Sequence, residues 1–255
     1  MRKYFVLVAA LLFMGCEVPS VNNINFQSGY PANVTAVQIS DLHINREKNI
    51  YDSAIDRINK INPDLLFITG DTIEADSNLP LMKKYFIDLQ ITCPVYAILG
   101  NWEYWGHVDI ANFRRELACL GIELLVNEYR SYTKEDITIG IYGLDDYLGG
   151  KPDFSGFVSD KAPFNIVLGH CPALFDELKP FAEGYSGKTI MLSGHTHGGQ
   201  ITLFGLPLFL PEGSGAYVSG MYGGNNVFLY VSAGIGNSSV DLRLFADPHI
   251  ELISF

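Results

Sequence analysis

The chain has 255 residues, 48% of them hydrophobic and 18% charged, which is enough for one sizeable core and near the upper size for a single domain. Its formal net charge is −11 and no cluster of five or more Lys/Arg is present, which excludes the usual basic nucleic-acid surface. The same acidity would repel phosphorylated ligands unless bound cations cover some of the carboxylates.

In chain order, Arg2 and Lys3 precede an apolar run from Tyr4 to Met14 that ends at Gly15-Cys16. The run has signal-peptide length and is short of the roughly 20 apolar residues of a membrane-spanning helix. "LFMGC" resembles a bacterial lipobox, in which Cys16 becomes the lipidated first residue; Phe13 stands where that pattern usually has Leu. An ordinary cleaved signal or an uncleaved anchor is the competing reading. The expectation is a lipoprotein held by its N-terminus on the extracytoplasmic side of a bacterial envelope membrane. Residues 1–16 are then a leader, the polar, turn-rich stretch 17–32 a tether, and 33–255 one domain. Cys93, Cys119 and Cys171 show no CxxC spacing or disulfide framework and read mostly as small core residues.

From Val34 the pattern turns regular. "VTAVQIS" is a short buried strand, and Ile50, Ala54, Ile58 and Ile61 recur at helical spacing until Asn62-Pro63. "LLFIT" is the next strand, followed by a helix around Leu79 to Leu89, strand "VYAIL", a helix from about Asp109 to Leu120, and strand "IELLV". The second half is richer in β-structure: "ITIGIYGL", "FNIVL", a helix over about Ala173 to Phe181, "TIMLS", and strands near 227–231 and 250–253. Continuous apolar strands alternating with helices predict an α/β fold, a layered α/β/β/α sandwich if the later strands form a second sheet.

Five of these strands end in a group able to hold a metal: Asp41, Asp71, Asn101, His170 and His195. Ligands bind at the carboxyl ends of strands in open α/β sheets, so the polar groups are expected along one edge of one sheet. His43 and His197 stand beside them. Seven such groups are too many for one tetrahedral ion and suit two divalent cations (Mn, Fe or Zn) with a bridging carboxylate, for which Asp71 is the candidate. Two cations about 3.5–4 Å apart activate a water and offset phosphoryl charge. Asp41 and His43, two apart on an extended chain, would project to the same side and hold one ion.

"DLH" at 41–43, "GD" at 70–71, "GNWE" at 100–103, "GH" at 169–170 and "GHTH" at 194–197 resemble, in order and spacing, the calcineurin-like metallophosphoesterases over roughly residues 34 to 255. "GHTHGGQITLFGLPLFLP" and the C-terminal stretch look like a bacterial membrane-associated branch that includes UDP-2,3-diacylglucosamine pyrophosphatases and envelope phosphodiesterases. The resemblance implies one metal on Asp41, His43, Asp71 and His197, and the other on Asp71, Asn101, His170 and His195. It also gives Glu103 a supporting role that orients a ligand histidine.

Trp102 departs from the family pattern, which commonly has a histidine there to contact the phosphate and protonate the leaving group. Indole does not titrate usefully, so Trp102 is left as a substrate-binding candidate. Asn101, Glu103 and His107 are the catalytic candidates. His107 would reach the pocket from a loop or stand as a surface histidine; Arg46 would bind a phosphate or carboxylate or remain a solvated charge. The aromatic and aliphatic stretches "YFIDL", "WEYWG" and "LFGLPLFLP" read as a site that meets an acyl chain, or as ordinary core. The expected function is a dinuclear hydrolase of a phosphodiester or pyrophosphate bond in a phosphorylated small molecule or lipid, such as an envelope glycolipid or UDP-sugar lipid. The alternative is a non-catalytic, metal-containing envelope lipoprotein that binds a partner.

Overall fold

The computed structural model describes residues 18–26, 34–157, 162–185, 187–199, 202–203, 206–207, 210–237, 243 and 246–255. The leader with Cys16 and residues 204–205 and 208–209 of "LFGLPLFLP" lie outside them.

Apolar strands with no polar face need cover on both sides, and two stacked sheets with helices outside supply it. The first half of the chain forms β1 (Ser20–Asn25), β2 (Thr35–Ile39), β3 (Leu65–Thr69), β4 (Val95–Ile98) and β5 (Ile122–Leu124). Between them lie α1 (Asn49–Ile61), α2 (Leu79–Phe86), the short α3 (Asn101–Trp105) and α4 (Ile110–Cys119). Next come β6 (Glu128–Lys134), β7 (Ile137–Gly143), β8 (Phe164–Leu168), α5 (Leu174–Ala182) and β9 (Lys188–Ser193). A small hairpin of β10 (Thr202–Leu203) and β11 (Leu206–Pro207) precedes β12 (Gly220–Gly224), β13 (Val227–Val231) and β14 (His249–Ser254).

The first sheet has the order β1-β14-β2-β3-β4-β5 and the second β12-β13-β9-β8-β7-β6. Both are mixed: β2 to β5 run parallel while β14 is antiparallel to β2, and β7, β8, β9 and β13 run parallel between antiparallel β6 and β12. Period-two alternation sorts each strand between layers. Leu66 and Ile68 of β3 pack with Ala54 and Ile58 of α1 and Phe113 of α4, whereas Leu65 and Phe67 meet Ile141, Ile166 and Ile190 of the second sheet. Leu174, Phe175 and Leu178 of α5 cover the far face through Val167, Met191 and Leu229. The four layers are the expected α/β/β/α sandwich.

Local chemistry ends the helices where expected. Asn62 takes φ 48° and donates its N–H to Ile58 O, closing α1, and Asp109 caps α4 by accepting from Ala111 N and Asn112 N. Two expectations are corrected. Ser20–Asn25, inside the expected tether, is an edge strand parallel to β14, and Phe26 packs 5.3 Å from Phe164. "NWEYW", where no element was expected, forms a helical turn. Cys171 is buried and Cys93 half-buried, but Cys119 is exposed at the end of α4 and is no core residue. Among the described residues, no helix is long and apolar enough to cross a membrane.

Candidate dinuclear metal site

β2, β3 and β4 of the first sheet and β8 and β9 of the second each end two or three residues before a polar side chain: Asp41, Asp71, Asn101, His170 and His195. The site therefore lies on the carboxyl ends of two sheets, and the expectation of a single sheet edge is corrected. All seven candidate ligands are buried.

Their backbone is unusual. Asp41, His43, Asp71, His195 and His197 all adopt left-handed conformations, with φ of 52°, 47°, 51°, 73° and 50°. Non-glycine residues rarely do so, and such strain persists only where the surroundings over-determine it. The expectation that Asp41 and His43 sit on an extended chain is thereby corrected: the chain turns at each ligand. Gly70, at φ 89°, is required because a Cβ there would lie 2.6 Å from His170 Nδ1 and 2.9 Å from Gly100 Cα. Gly194 is required by closeness, since a Cβ would overlap Ser40 Oγ and Asp41 Oδ2.

Two triads form, Asp41/His43/His197 and Asp71/His170/His195, each offering ligand atoms within 4.8 Å of one another. His195 and His197 thus part company, as the resemblance implies. In the first triad His43 Nε2 faces His197 Nε2 at 3.1 Å, and His197 Nε2 lies 3.6 Å from Asp41 Oδ1. Asp71 Oδ2 connects the triads: it lies 3.2 Å from His170 Nε2 and 3.6 Å from His43 Nε2.

Hydrogen bonds orient the rings. His170 Nδ1 donates to Thr69 O at 2.8 Å, which directs Nε2 toward Asp71. His195 Nε2 donates to Glu212 O at 2.6 Å and leaves Nδ1 as its ligand atom. His43 Nδ1 lies 3.2 Å from Glu74 Oε1. Asp41 accepts from His195 N, and Asp71 Oδ1 accepts from Trp102 N at 2.9 Å. Asn101 Oδ1 and His170 Nε2 are buried without a hydrogen-bond partner among the described residues. Buried acceptors left open in this way, beside two carboxylates and three more imidazoles, fit a pair of divalent cations by donor chemistry.

The electrostatics match. Burial works against the charge of both Asp71 and His170, yet the His170 and His43 imidazoles hold the Asp71 carboxyl well below its usual range and Asp71 lifts His170 well above its own, so ligation through Nε2 displaces a proton. Burial lowers His197 to about 3, which leaves it neutral and able to ligate.

Glu103 is placed differently from a proton-transfer group. Its Oε1 accepts from Thr72 N (2.6 Å) and Ile73 N (3.1 Å), and its Oε2 from Gly100 N (2.8 Å) and Asp71 N (3.2 Å). Fully buried, it pins the turn that carries Asp71 to the start of α3. Its catalytic assignment is corrected to that of a buttress, although the residue it holds is Asp71 and not a histidine. Burial and the Asp71 carboxylate push it up to about 7. His107 is exposed after α3, and its ring makes none of the described hydrogen bonds to the cluster. Arg46 is exposed on the loop that follows Ile44. Trp102 stands edge-on to His43 with ring centroids 5.8 Å apart, and Trp105, 53% exposed, lies 5.9 Å beyond it.

Sequence reasoning missed Glu74, three residues after Asp71, whose carboxylate meets both His43 and Asn45. It also missed Arg243, which donates to Ala233 O at 2.7 Å and to Asn237 Oδ1 at 2.9 Å and lies 3.3 Å from His197 Nδ1. Closeness to the Asp71 turn is a signal for the first; nothing in the spacing of Arg243 marks the second.

The calcineurin-like phosphoesterase profile matches residues 34–199. The chain is 31% identical to the uncharacterized metallophosphoesterase YkuE of Bacillus subtilis, over 86% of this chain and 77% of that protein. It is 30% identical to the uncharacterized metallophosphoesterase Cj0846 of Campylobacter jejuni, over 97% of this chain and 66% of that one. Among solved structures, the NAD nucleotidase of Haemophilus influenzae superposes with a TM-score of 0.52 at 14% identity, covering 80% of this chain and 51% of that chain. The sulfate thiohydrolase SoxB of Thermus thermophilus gives 0.51 at 13%, covering 89% and 57%; at these identities the likeness is one of fold. With the matched profile, the 31% relative and two triads joined by Asp71, the chain belongs to the calcineurin-like phosphoesterase family of metal-dependent phosphoesterases.

Proposed function

We propose that the protein hydrolyses a phosphodiester or pyrophosphate bond at this site. The observation that carries the reading is the joining of two buried triads through Asp71 Oδ2, with Asn101 Oδ1 left open beside them. Divalent cations held there, with Mn, Fe and Zn the candidates, supply an activated water and offset the charge on phosphorus. The chain's own part is placement. Glu103 and Trp102 N fix the Asp71 turn, Thr69 O and Glu212 O fix the ring orientations, and Trp102 forms a wall over His43.

Trp102 also narrows the substrate. It offers no acid to a leaving group, so bonds whose leaving group needs little protonation, such as a pyrophosphate or an activated diester, suit the site best. A phosphorylated small molecule or lipid is the proposed substrate class, with an envelope glycolipid or UDP-sugar lipid as the specific form. Support comes from exposed Trp105 beside Trp102 and from the leader-like N-terminus, through which Cys16 would attach the protein to the extracytoplasmic face of a bacterial envelope membrane.

Asp71→Ala tests the site. It is expected to abolish retention of both metals and hydrolysis together; a variant that keeps two metals and its activity contradicts the bridging role. Labelling with a radioactive fatty acid tests the anchor, with Cys16→Ala expected to abolish incorporation. Labelling that persists in the variant refutes it.

A further inference from the structure

A second cavity, of about 300 Å³, opens at the same sheet edge, where β1 and β14 of one sheet approach β12 and β13 of the other. Its wall toward the metal site is Gly198, the residue after His197, and Ala233; the Gly198 backbone packs so closely that an added Cβ would lie 3.1 Å from Ala233 Cβ. The polar lining comes from Asn22, Ser219, Tyr230, Asp247 and His249. The volume lies at the low end of small-molecule pockets, which run from roughly 300 to 1,000 Å³, so it suits a single ring or a short polyol.

The lining is built and not incidental. Asn22 Nδ2 donates to Tyr230 OH at 2.6 Å, Tyr230 OH donates to Glu251 Oε2 at 3.2 Å, and Ser232 Oγ donates to Glu251 Oε1 at 2.7 Å. This chain of bonds holds the Tyr230 ring and the Asn22 amide in place. The charges select against a second anion. None of the described lining residues is Lys or Arg, and Asp247 is a carboxylate. Burial holds the His249 imidazole below its ordinary value, so it is neutral near pH 7. Arg243, the cation behind this wall, is already engaged by Ala233 O, Ala246 O and Asn237 Oδ1, so a phosphate or carboxylate meets Asp247 in the lining itself, whereas hydroxyl groups, which both donate and accept, match an amide, a phenol, a serine, an imidazole and a carboxylate.

We infer that this cavity binds a neutral, hydroxyl-bearing portion of the substrate, a sugar ring or polyol, while the phosphorus lies at the neighbouring triads. The inference rests on the hydrolase reading only for its link to turnover, since binding in the cavity needs no chemistry.

The test uses the full chain with methyl α-glucoside and glycerol as metal-independent probes in saturation-transfer NMR. A parallel assay takes kcat/KM for a glucosyl p-nitrophenyl phosphodiester as a ratio to that for bis-p-nitrophenyl phosphate. Asn22→Leu removes the amide at near-constant volume, and Ser219→Trp, at an exposed rim position, fills the mouth. Both are expected to abolish transfer to the probe that binds and to lower the ratio by about ten-fold or more. The glucoside and glycerol arms separate a sugar from a simple polyol. Should Ser219→Trp not fold, Asn22→Leu carries the test alone. No transfer to either probe in the wild type, or transfer and ratio unchanged in the folded variants, overturns the inference. Probe binding that is lost in the variants of a protein without any turnover upholds the cavity and overturns the hydrolase reading instead.

Discussion

Glu103→Gln separates a buttress from a proton donor. The carboxylate accepts four backbone N–H groups, and a hydrogen bond to a charged acceptor contributes roughly 1.5–3 kcal/mol. A glutamine keeps one oxygen, enough for Thr72 N and Ile73 N, and turns its NH₂ toward the N–H groups of Gly100 and Asp71. Two bonds are lost, a gross cost of about 3–6 kcal/mol. The amide recovers part of this, because burial and the Asp71 carboxylate have pushed Glu103 up to about 7 and its ionised form is itself disfavoured. The expected net destabilisation of the metal-free protein is about 1–3 kcal/mol. Denaturant unfolding measures it, and metal titration should show affinity weakened about ten-fold or more because the Asp71 turn is loosened. At saturating metal most of kcat should return. Stability and metal affinity unchanged, with kcat lower by about 10²–10⁴, would refute the reasoning and mark Glu103 as a group that moves protons.

Other expectations follow from particular residues. Trp102→His should raise kcat/KM for diesters with poor leaving groups by up to about 10²-fold and change activated p-nitrophenyl esters little, read as a shallower dependence on leaving-group pKa; an equal change for both refutes the missing-acid reading. Burial raises Glu251 from 4.5 to about 7, so the folded state holds a proton that the unfolded state releases between these values. Glu251 therefore lowers stability by about 3 kcal/mol as pH rises through that window and adds no slope above it. Glu251→Gln should remove this share of the slope in unfolding measurements at pH 4 to 8 and leave that of Glu103; an unchanged slope refutes it. Gly194→Ala drives a methyl into Ser40 and Asp41, so one metal equivalent should be lost in titration before the other; equal weakening of both contradicts the division of the triads.

Much of the site was legible because five of the seven ligands follow an apolar strand, and "LLFIT-GD" or "TIMLS-GH" shows both the strand and its end. The pairing of ligands came from resemblance, and the turns that achieve it were not legible. Left-handed conformations at Asp41, His43, Asp71, His195 and His197 are imposed by hydrogen bonds from distant parts of the chain, such as Asp71 O accepting from His43 N, and not by local propensity. β1 was hidden because "SVNNIN" has no apolar face; its bonds go to β14, and Ser20 pairs with His249 across nearly the whole sequence. α3 was hidden by its brevity, since five residues carry no helical period. Arg243 is fixed by carbonyls of residues 233 to 246, a contact that spacing does not encode.

The central claim is that Asp71 joins two cation sites into one hydrolytic centre. Titrating metal-free protein with Mn²⁺ while following bis-p-nitrophenyl phosphate hydrolysis tests it most directly. Activity should rise with metal and reach its plateau at two equivalents per chain. A protein that binds two equivalents and turns over none of the diester, with Trp102→His equally silent, would contradict the account and favour a metal-containing binding protein.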